Sequence, residues 1–384
     1  MSFSLMSGGA ESKKGPIPLV AATKYQIVGS YEFISVTTKI EHIPPGYLLL
    51  KTLTTGICQA DLRYVACTRP PEILAERLPM APFHEGVAMV VESGRGTSYS
   101  SGSRVVPVPN IPCYLHGEEG NGNRWNACPV CRPGGLGENF CAEALFLGSN
   151  IDGLAQTYLV YPADRVVPVA AQVPNELAVL AEPLSVVLGA IQAVGVTERD
   201  TVMVLGAGNM GYLLSVVLSE AFRVAKEQLI VTDLIEARLA KLNEISTTVN
   251  LRQEKVPDRL LTKVTKIFEC VGGQNAGKAI DDALPFASPG CSLMLLGVSE
   301  NSVSIHTRSI LEKAIRVGGW TRSTIEDFSL VLDLLRERSF QDKVRPALHP
   351  KIFRANSSED IVRACRVADD PDTIGKVIID WCDS

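Results

Sequence analysis

Four residues distributed along the first half of the chain have the chemistry of a metal centre. Cys58 follows an apolar strand pattern and a Thr-Gly turn in YLLLKTLTTGICQADLRY; His84 and Glu85 are adjacent in PFHEG; Glu182 interrupts the apolar run LAVLAEPLSVVLG. Thiolate, imidazole and carboxylate suit zinc, and a mixed donor set of this kind leaves a position open for water or substrate. Singly, each has a plainer reading as a buried thiol, a core imidazole or an exposed carboxylate. A carboxylate inside an apolar helix is costly without a partner, however, and a metal removes that cost. Asp61 is placed to orient the site rather than to ligate.

A second group is more compact in sequence. Cys113, Cys128, Cys131 and Cys141 follow the spacing C-x14-C-x2-C-x9-C in a Gly- and Pro-rich stretch without an apolar pattern. Four thiolates in one such loop fit a closed tetrahedral zinc site that organises a lobe. Four reduced thiols, or a zinc ribbon for nucleic acid, are the other readings.

A third pattern concerns phosphate. VMVLGAGNMG places Gly206, Gly208 and Gly211 in a GxGxxG after a strand, with Asn209 and Met210 opening a helix. In that setting the glycines allow a tight turn and close approach of a pyrophosphate to free backbone N–H groups. Asp233 ends the next strand, LIVTD, where a carboxylate binds ribose hydroxyls and repels a 2′-phosphate, favouring NAD(H). A helix cap for IEARLAKL is the alternative for Asp233, and Arg238 is the nearby cation that would favour NADP(H). Val271 after FEC, and Gly297 and Val298 after MLL, fall at further strand ends where a dinucleotide crosses. Arg322 is a candidate for the pyrophosphate.

These residues require two kinds of scaffold. From Tyr25 to about Val169 short β-branched runs are punctuated by Gly and Pro, and from about Pro174 strands alternate with helices, as βαβ crossovers and a parallel sheet demand. The expected class is α/β: a mainly-β catalytic domain at 23–174 and 322–384, a Rossmann doubly wound domain at 175–321, and a flexible tail at 1–22. A helix at IEDFSLVLDLLRE is expected behind a Ser323/Glu326 capping box, another at EDIVRACRVA, and a last strand at GKVIIDW.

The chain has 384 residues, 46% hydrophobic and 21% charged, with a net charge of −5. That balance, without Lys/Arg blocks, argues against a nucleic-acid partner and against the ribbon reading. Ten cysteines without a secretory signal point to thiols and metal ligands. No membrane span is expected, because Glu182 and Pro183 interrupt the densest apolar run, and a cytoplasmic location follows by default.

Taken together, GICxxD with Cys58 and Asp61, HExxxxVxxxG from His84 to Gly94, the Glu182-Pro183 pair, the four-cysteine lobe and GxGxxG from Gly206 resemble the zinc-dependent medium-chain dehydrogenase/reductases. The resemblance spans about residues 25 to 384. It implies a GroES-like catalytic domain, a Rossmann domain, catalytic zinc between them, and a homodimer or homotetramer. The Glu-Pro form of the third ligand is similar to sorbitol and threonine dehydrogenases.

ICQADLRY, Arg69, LPMAPFHEG, FECVGG, LLGVSE, HTRSILEK and the TRS around Arg322 resemble the ribulose-5-phosphate reductases, which make ribitol 5-phosphate for CDP-ribitol. The implied reaction is reduction of D-ribulose 5-phosphate at C2, with an NADPH preference. Ordinary alcohol dehydrogenases carry a hydroxyl at the place of Ala60 to relay the proton. A methyl cannot, so Glu85 or Glu182, working through a water, is expected to move it. Arg63 and Arg69 are candidates for the substrate phosphate, with Tyr64 adding a hydroxyl or packing. An unphosphorylated polyol or amino alcohol is the alternative substrate, and a non-enzymatic zinc protein the distant one.

Overall fold

Strand Tyr47–Gly56 is the axis of the catalytic half, and its burial on both faces explains its nearly continuous apolar sequence. It lies in a seven-stranded sheet between Lys376–Asp380 and Glu85–Ser93, and Tyr158–Pro162 also pairs with it. The computed structural model describes residues 20–116 and 128–381. Most of the expected tail, residues 1–19, lies outside them, while Val20 already opens a strand, Val20–Gly29, paired antiparallel with Glu32–Ile40.

Two registers position the chemistry. Gly56 is opposite Glu85 on one side and opposite Ile378 on the other. Three chain segments therefore meet at one end of the sheet: Cys58 beyond Gly56, His84 just before Glu85, and Lys376 two residues before Ile378. Gly56 itself is required there, since a Cβ would lie 2.6 Å from Glu85 Oε2 and 2.8 Å from Val179 Cγ1.

The nucleotide half is a six-stranded parallel sheet in the order Thr247–Asn250, Leu229–Asp233, Val202–Leu205, Val264–Glu269, Ala287–Leu295, Arg316–Gly319. Chain order reverses between Val202–Leu205 and Val264–Glu269, and a crevice at such a switch point is where dinucleotides bind. Helices Ala181–Ala193 and Asn209–Glu220 cover this sheet. The run Asn175–Ala193 is long and apolar enough to cross a membrane, contrary to expectation, but 83% of its most apolar window is buried in the protein. It is a core helix.

Strand Leu348–Arg354 brings the chain back into the catalytic sheet, and ahead of it helix Ile325–Leu334 buries Phe328, Val331 and Leu332 in a core shared with Ala181–Ala193 and with Val87, Val106 and Val167 of the catalytic half. The expected cap of that helix needs correction. Its cap is Thr324, whose hydroxyl accepts from Asp327 N while Asp327 accepts in return from Thr324 N. Ser323 instead accepts a hydrogen bond from the buried Ser185 hydroxyl at 2.8 Å.

Candidate active site

Cys58 caps the N-terminus of helix Gln59–Val65, and its N–H donates to Asp61 Oδ2 at 3.0 Å. The other oxygen of Asp61 accepts from Phe83 N at 3.1 Å and lies 3.0 Å from His84 Nδ1. Asp61, fully buried, thus locks both the Cys58 turn and the Nδ1 edge of the His84 ring, whose other side meets Cys58. Burial works against the imidazolium, yet Asp61 and Cys58 hold the His84 pKa well above its ordinary value. Ala60 lies in the first turn of the same helix.

Cys58 Sγ, a His84 nitrogen and a Glu85 oxygen all lie within 4.8 Å of one another. Glu85 Oε1 accepts from Lys376 Nζ at 2.6 Å, and Glu85 Oε2 is buried without a hydrogen-bond partner. Soft, borderline and hard donors converging around an orphaned carboxylate oxygen fit a zinc ion. Glu182 stands beside this trio and is not part of it, so the structure joins three of the four expected ligands. Burial, foremost, raises the Glu182 pKa to about 7; His84 opposes that and Glu85 reinforces it.

The four thiols of the lobe also meet. Cys113, Cys128, Cys131 and Cys141 have all sulfurs within 4.8 Å, and Cys113 and Cys131 are 3.9 Å apart. Tetrahedral Zn–S bonds of about 2.3 Å give S···S edges of about 3.8 Å, so the spacing suits a metal and is far too long for a disulfide. Part of the intervening loop, residues 117–127, lies outside the described residues. Backbone N–H groups of Cys131 and Val130 bring the Cys128 thiol down to about 7, while burial raises Cys113 to about 11.

At the switch point Gly206 has φ +91°, and a Cβ on Gly211 would stand 1.8 Å from Gly206 O. A Cβ on Gly208, by contrast, would meet nothing within 4 Å. That open space faces the start of helix Asn209–Glu220, whose first turn, containing Met210, holds no acidic residue, and the arrangement suits a pyrophosphate. Asp233 is committed to the turn: it accepts from Ala207 N at 2.6 Å, Leu234 N at 2.7 Å and Ile235 N at 2.9 Å. Arg238 reaches Pro371 O at 3.4 Å.

Val271 and Val298 are exposed at strand ends, as a surface awaiting a flat ring would be. Sequence reasoning missed what holds them. Glu269, 1% exposed, accepts from Val271 N, Gly272 N and Gly297 N, pinning both crossing loops with one carboxylate. Arg322 does not face the glycine turn. It stacks over Phe146 at 5.1 Å and reaches Asn110 and the Cys141 carbonyl, because its backbone, at φ +57°, turns it toward the cysteine lobe.

The expected phosphate residues do converge. Arg69 stacks on the Tyr64 ring at 4.9 Å, and the Tyr64 hydroxyl is 3.3 Å from Ser149 Oγ. Arg63 and Arg69 both pair with Glu300 Oε1, at 2.8 and 3.1 Å. Glu300 comes from the nucleotide half, after strand Ala287–Leu295, so this pairing spans the two halves.

A glycine turn at the switch point of a parallel sheet and a metal-donor cluster at the end of a second, mixed sheet are the two parts of a nicotinamide-dependent dehydrogenase site. Residues 44–171 match the alcohol dehydrogenase GroES-like domain. Over 363 residues the chain is 31% identical to ribulose-5-phosphate reductase 2 of Staphylococcus aureus (strain NCTC 8325 / PS 47), covering 93% of this chain and 98% of that one. Ribulose-5-phosphate reductase of Bacillus spizizenii (strain ATCC 23059 / NRRL B-14472 / W23) is 28% identical over 93% of this chain and 98% of its own. The crystal structure of S. aureus TarJ in complex with NADPH superposes with a TM-score of 0.75 at 26% identity, covering 94% of this chain and 99% of that one. The chain belongs to the medium-chain dehydrogenase/reductases, and it is an oxidoreductase of the alcohol and polyol dehydrogenase type.

Proposed function

We propose that this enzyme reduces D-ribulose 5-phosphate to D-ribitol 5-phosphate, the precursor of CDP-ribitol, using zinc and NADPH. The observation that carries the substrate is the Arg63/Arg69 pair, two partly buried guanidiniums, of which Arg63 lies within the electrostatic reach of Cys58 and Asp61. Such a fork suits a phosphate, and phosphate is the group that distinguishes this substrate from a free ketose. The relatives named ribulose-5-phosphate reductase support the same reading.

Cys58, His84 and Glu85 would hold the catalytic zinc, and the four lobe cysteines a structural one. Bound there, zinc supplies a Lewis acid for the C2 oxygen, and the nicotinamide supplies the hydride. Asp61 keeps His84 Nδ1 occupied so that Nε2 is presented. Lys376 neutralises Glu85. Glu182, buried beside the donor trio, would give the proton to the oxygen at C2, the role that Ala60 cannot fill. Glu269 fixes the loops on which the nicotinamide end would rest.

NADPH is favoured because both Asp233 oxygens already accept from backbone N–H groups, while Arg238, partly exposed nearby, makes a long 3.4 Å contact to Pro371 O. The edge strand Arg316–Gly319 and the exposed Leu311 would serve a homodimer. A second reading, an unphosphorylated polyol, is favoured by one observation: Glu300 already pairs both arginines. Initial rates of NADPH and NADH oxidation with D-ribulose 5-phosphate, D-xylulose 5-phosphate, D-ribulose and D-fructose, with and without chelator, test the proposal. It requires chelator-sensitive turnover that is highest with D-ribulose 5-phosphate; equal rates with D-ribulose would favour the second reading.

A further inference from the structure

Glu300 neutralises the arginine pair incompletely. One oxygen serves two guanidiniums, at 2.8 Å from Arg63 Nε and 3.1 Å from Arg69 Nη1. Arg63 Nε approaches as an ion pair only: its N–H, like that of Arg69 Nε, is buried with no hydrogen-bond acceptor in line. Two cations facing one carboxylate leave a net positive charge and unmet donors in a site whose three side chains are only 20–32% exposed. Buried guanidinium donors are ordinarily satisfied, and a phosphate brings three acceptor oxygens and up to two negative charges where the carboxylate brings one oxygen to bear.

The position of Glu300 adds a second element. It follows the loop of Gly297 and Val298, and Ser299 Oγ of that loop donates to Gly273 O at 2.8 Å. Arg63, by contrast, is on the helix that Cys58 caps. The ion pair therefore joins the loop expected under the nicotinamide to the helix beside the metal donors.

We propose that Glu300 is a specificity-determining latch: it holds Arg63 and Arg69 in the absence of substrate and is exchanged for the substrate's phosphate. The inference rests on the phosphoketose reading of the same site. A ligand without phosphate leaves the latch in place, whereas a phosphorylated one must displace it, so Glu300 sets how much of the phosphate's binding energy is realised.

The test uses the full enzyme and two readouts. Inorganic phosphate is titrated against wild type, E300Q and the E300Q/R63A double variant by thermal shift, and kcat/KM is measured for D-ribulose 5-phosphate and D-ribulose. Removing an ion pair of this exposure should tighten phosphate binding by roughly three- to tenfold in E300Q. The double variant should lose that gain. The ratio of kcat/KM for the phosphorylated over the free ketose should rise in E300Q by a similar factor. Phosphate affinity unchanged or weakened in E300Q would overturn the latch and make Glu300 a support for the arginines. Tighter phosphate binding in E300Q together with no preference for the phosphorylated ketose in wild type would leave Glu300 as a competitor of phosphate for the arginines, but would refute the substrate reading and with it the role of Glu300 in specificity.

Discussion

Glu85 Oε1 and Lys376 Nζ meet at 2.6 Å, both side chains at most 5% exposed, and Glu85 is itself one of the metal donors. The two residues come from opposite ends of the chain and are joined by the strand between them, since Gly56 pairs with Glu85 on one side and Ile378 on the other. Burial opposes the Lys376 ammonium, yet Glu85 and Cys58 hold its pKa above the ordinary lysine value. The pair therefore sets the charge that the donor cluster presents to a metal.

Breaking this pair leaves one buried charge uncompensated, at a cost of about 3–5 kcal/mol. Lys376→Met should lower stability to urea by that amount, and adding Glu85→Gln should recover most of it. Independent, additive losses in the double-mutant cycle would show that the two residues do not act as a unit.

Glu182→Gln keeps the shape of the site and removes the titrating group. Turnover should fall by about 100-fold or more while KM changes little, the pattern of a lost acid–base group. Unchanged turnover would remove Glu182 from the proton path and leave Glu85.

The pH dependence of the metal-free enzyme has a definite sign. Burial raises Glu182 from 4.5 to about 7, so the stability of its neutral form is complete below pH 4.5 and is lost as pH rises through 7. His84, also raised, acts in the same direction. Chelated protein should lose melting temperature between pH 5 and pH 8, and Glu182→Gln should flatten that slope. Zinc should restore more at pH 8 than at pH 5, because its ligands must shed protons to bind. A chelated wild type that gains stability over this interval would contradict the assignment.

Glu269→Ala withdraws the acceptor shared by three backbone N–H groups. The loops carrying Val271 and Gly297 should loosen, raising KM for the nicotinamide cofactor by about tenfold or more while KM for the ketose stays within a few-fold. Equal effects on both would point to general destabilisation.

Local patterns were readable in the sequence. Gly206, Gly208 and Gly211 lie within one turn, and the four lobe cysteines within one loop, so spacing alone suffices. Cys58 and His84 were readable because each immediately follows or precedes a strand pattern. Lys376 and Glu300 were not, since their partners depend on strand register and on the approach of two domains. Glu269 escaped notice because its partners are backbone N–H groups, which carry no sequence signature. The strand Arg316–Gly319, RVGG, is short, glycine-rich and on an exposed edge, where no alternation is imposed. The cap of Ile325–Leu334 is ambiguous by one residue in the sequence, since Ser323/Glu326 and Thr324/Asp327 satisfy the same pattern; the reciprocal Thr324–Asp327 bonds and the Ser185 contact of Ser323 separate them.

Hydride delivery to C2 of a phosphorylated ketose is the central claim, and isotope transfer tests it most directly. The zinc-loaded enzyme would be given D-ribulose 5-phosphate with NADPH deuterated at nicotinamide C4, each diastereomer in turn, and the product examined by mass spectrometry and NMR. One diastereomer should yield ribitol 5-phosphate carrying a single deuterium at C2, with Arg63→Ala slowing its formation at low substrate. Deuterium at another carbon, or label transfer to D-ribulose as efficient as to its 5-phosphate, would contradict the account.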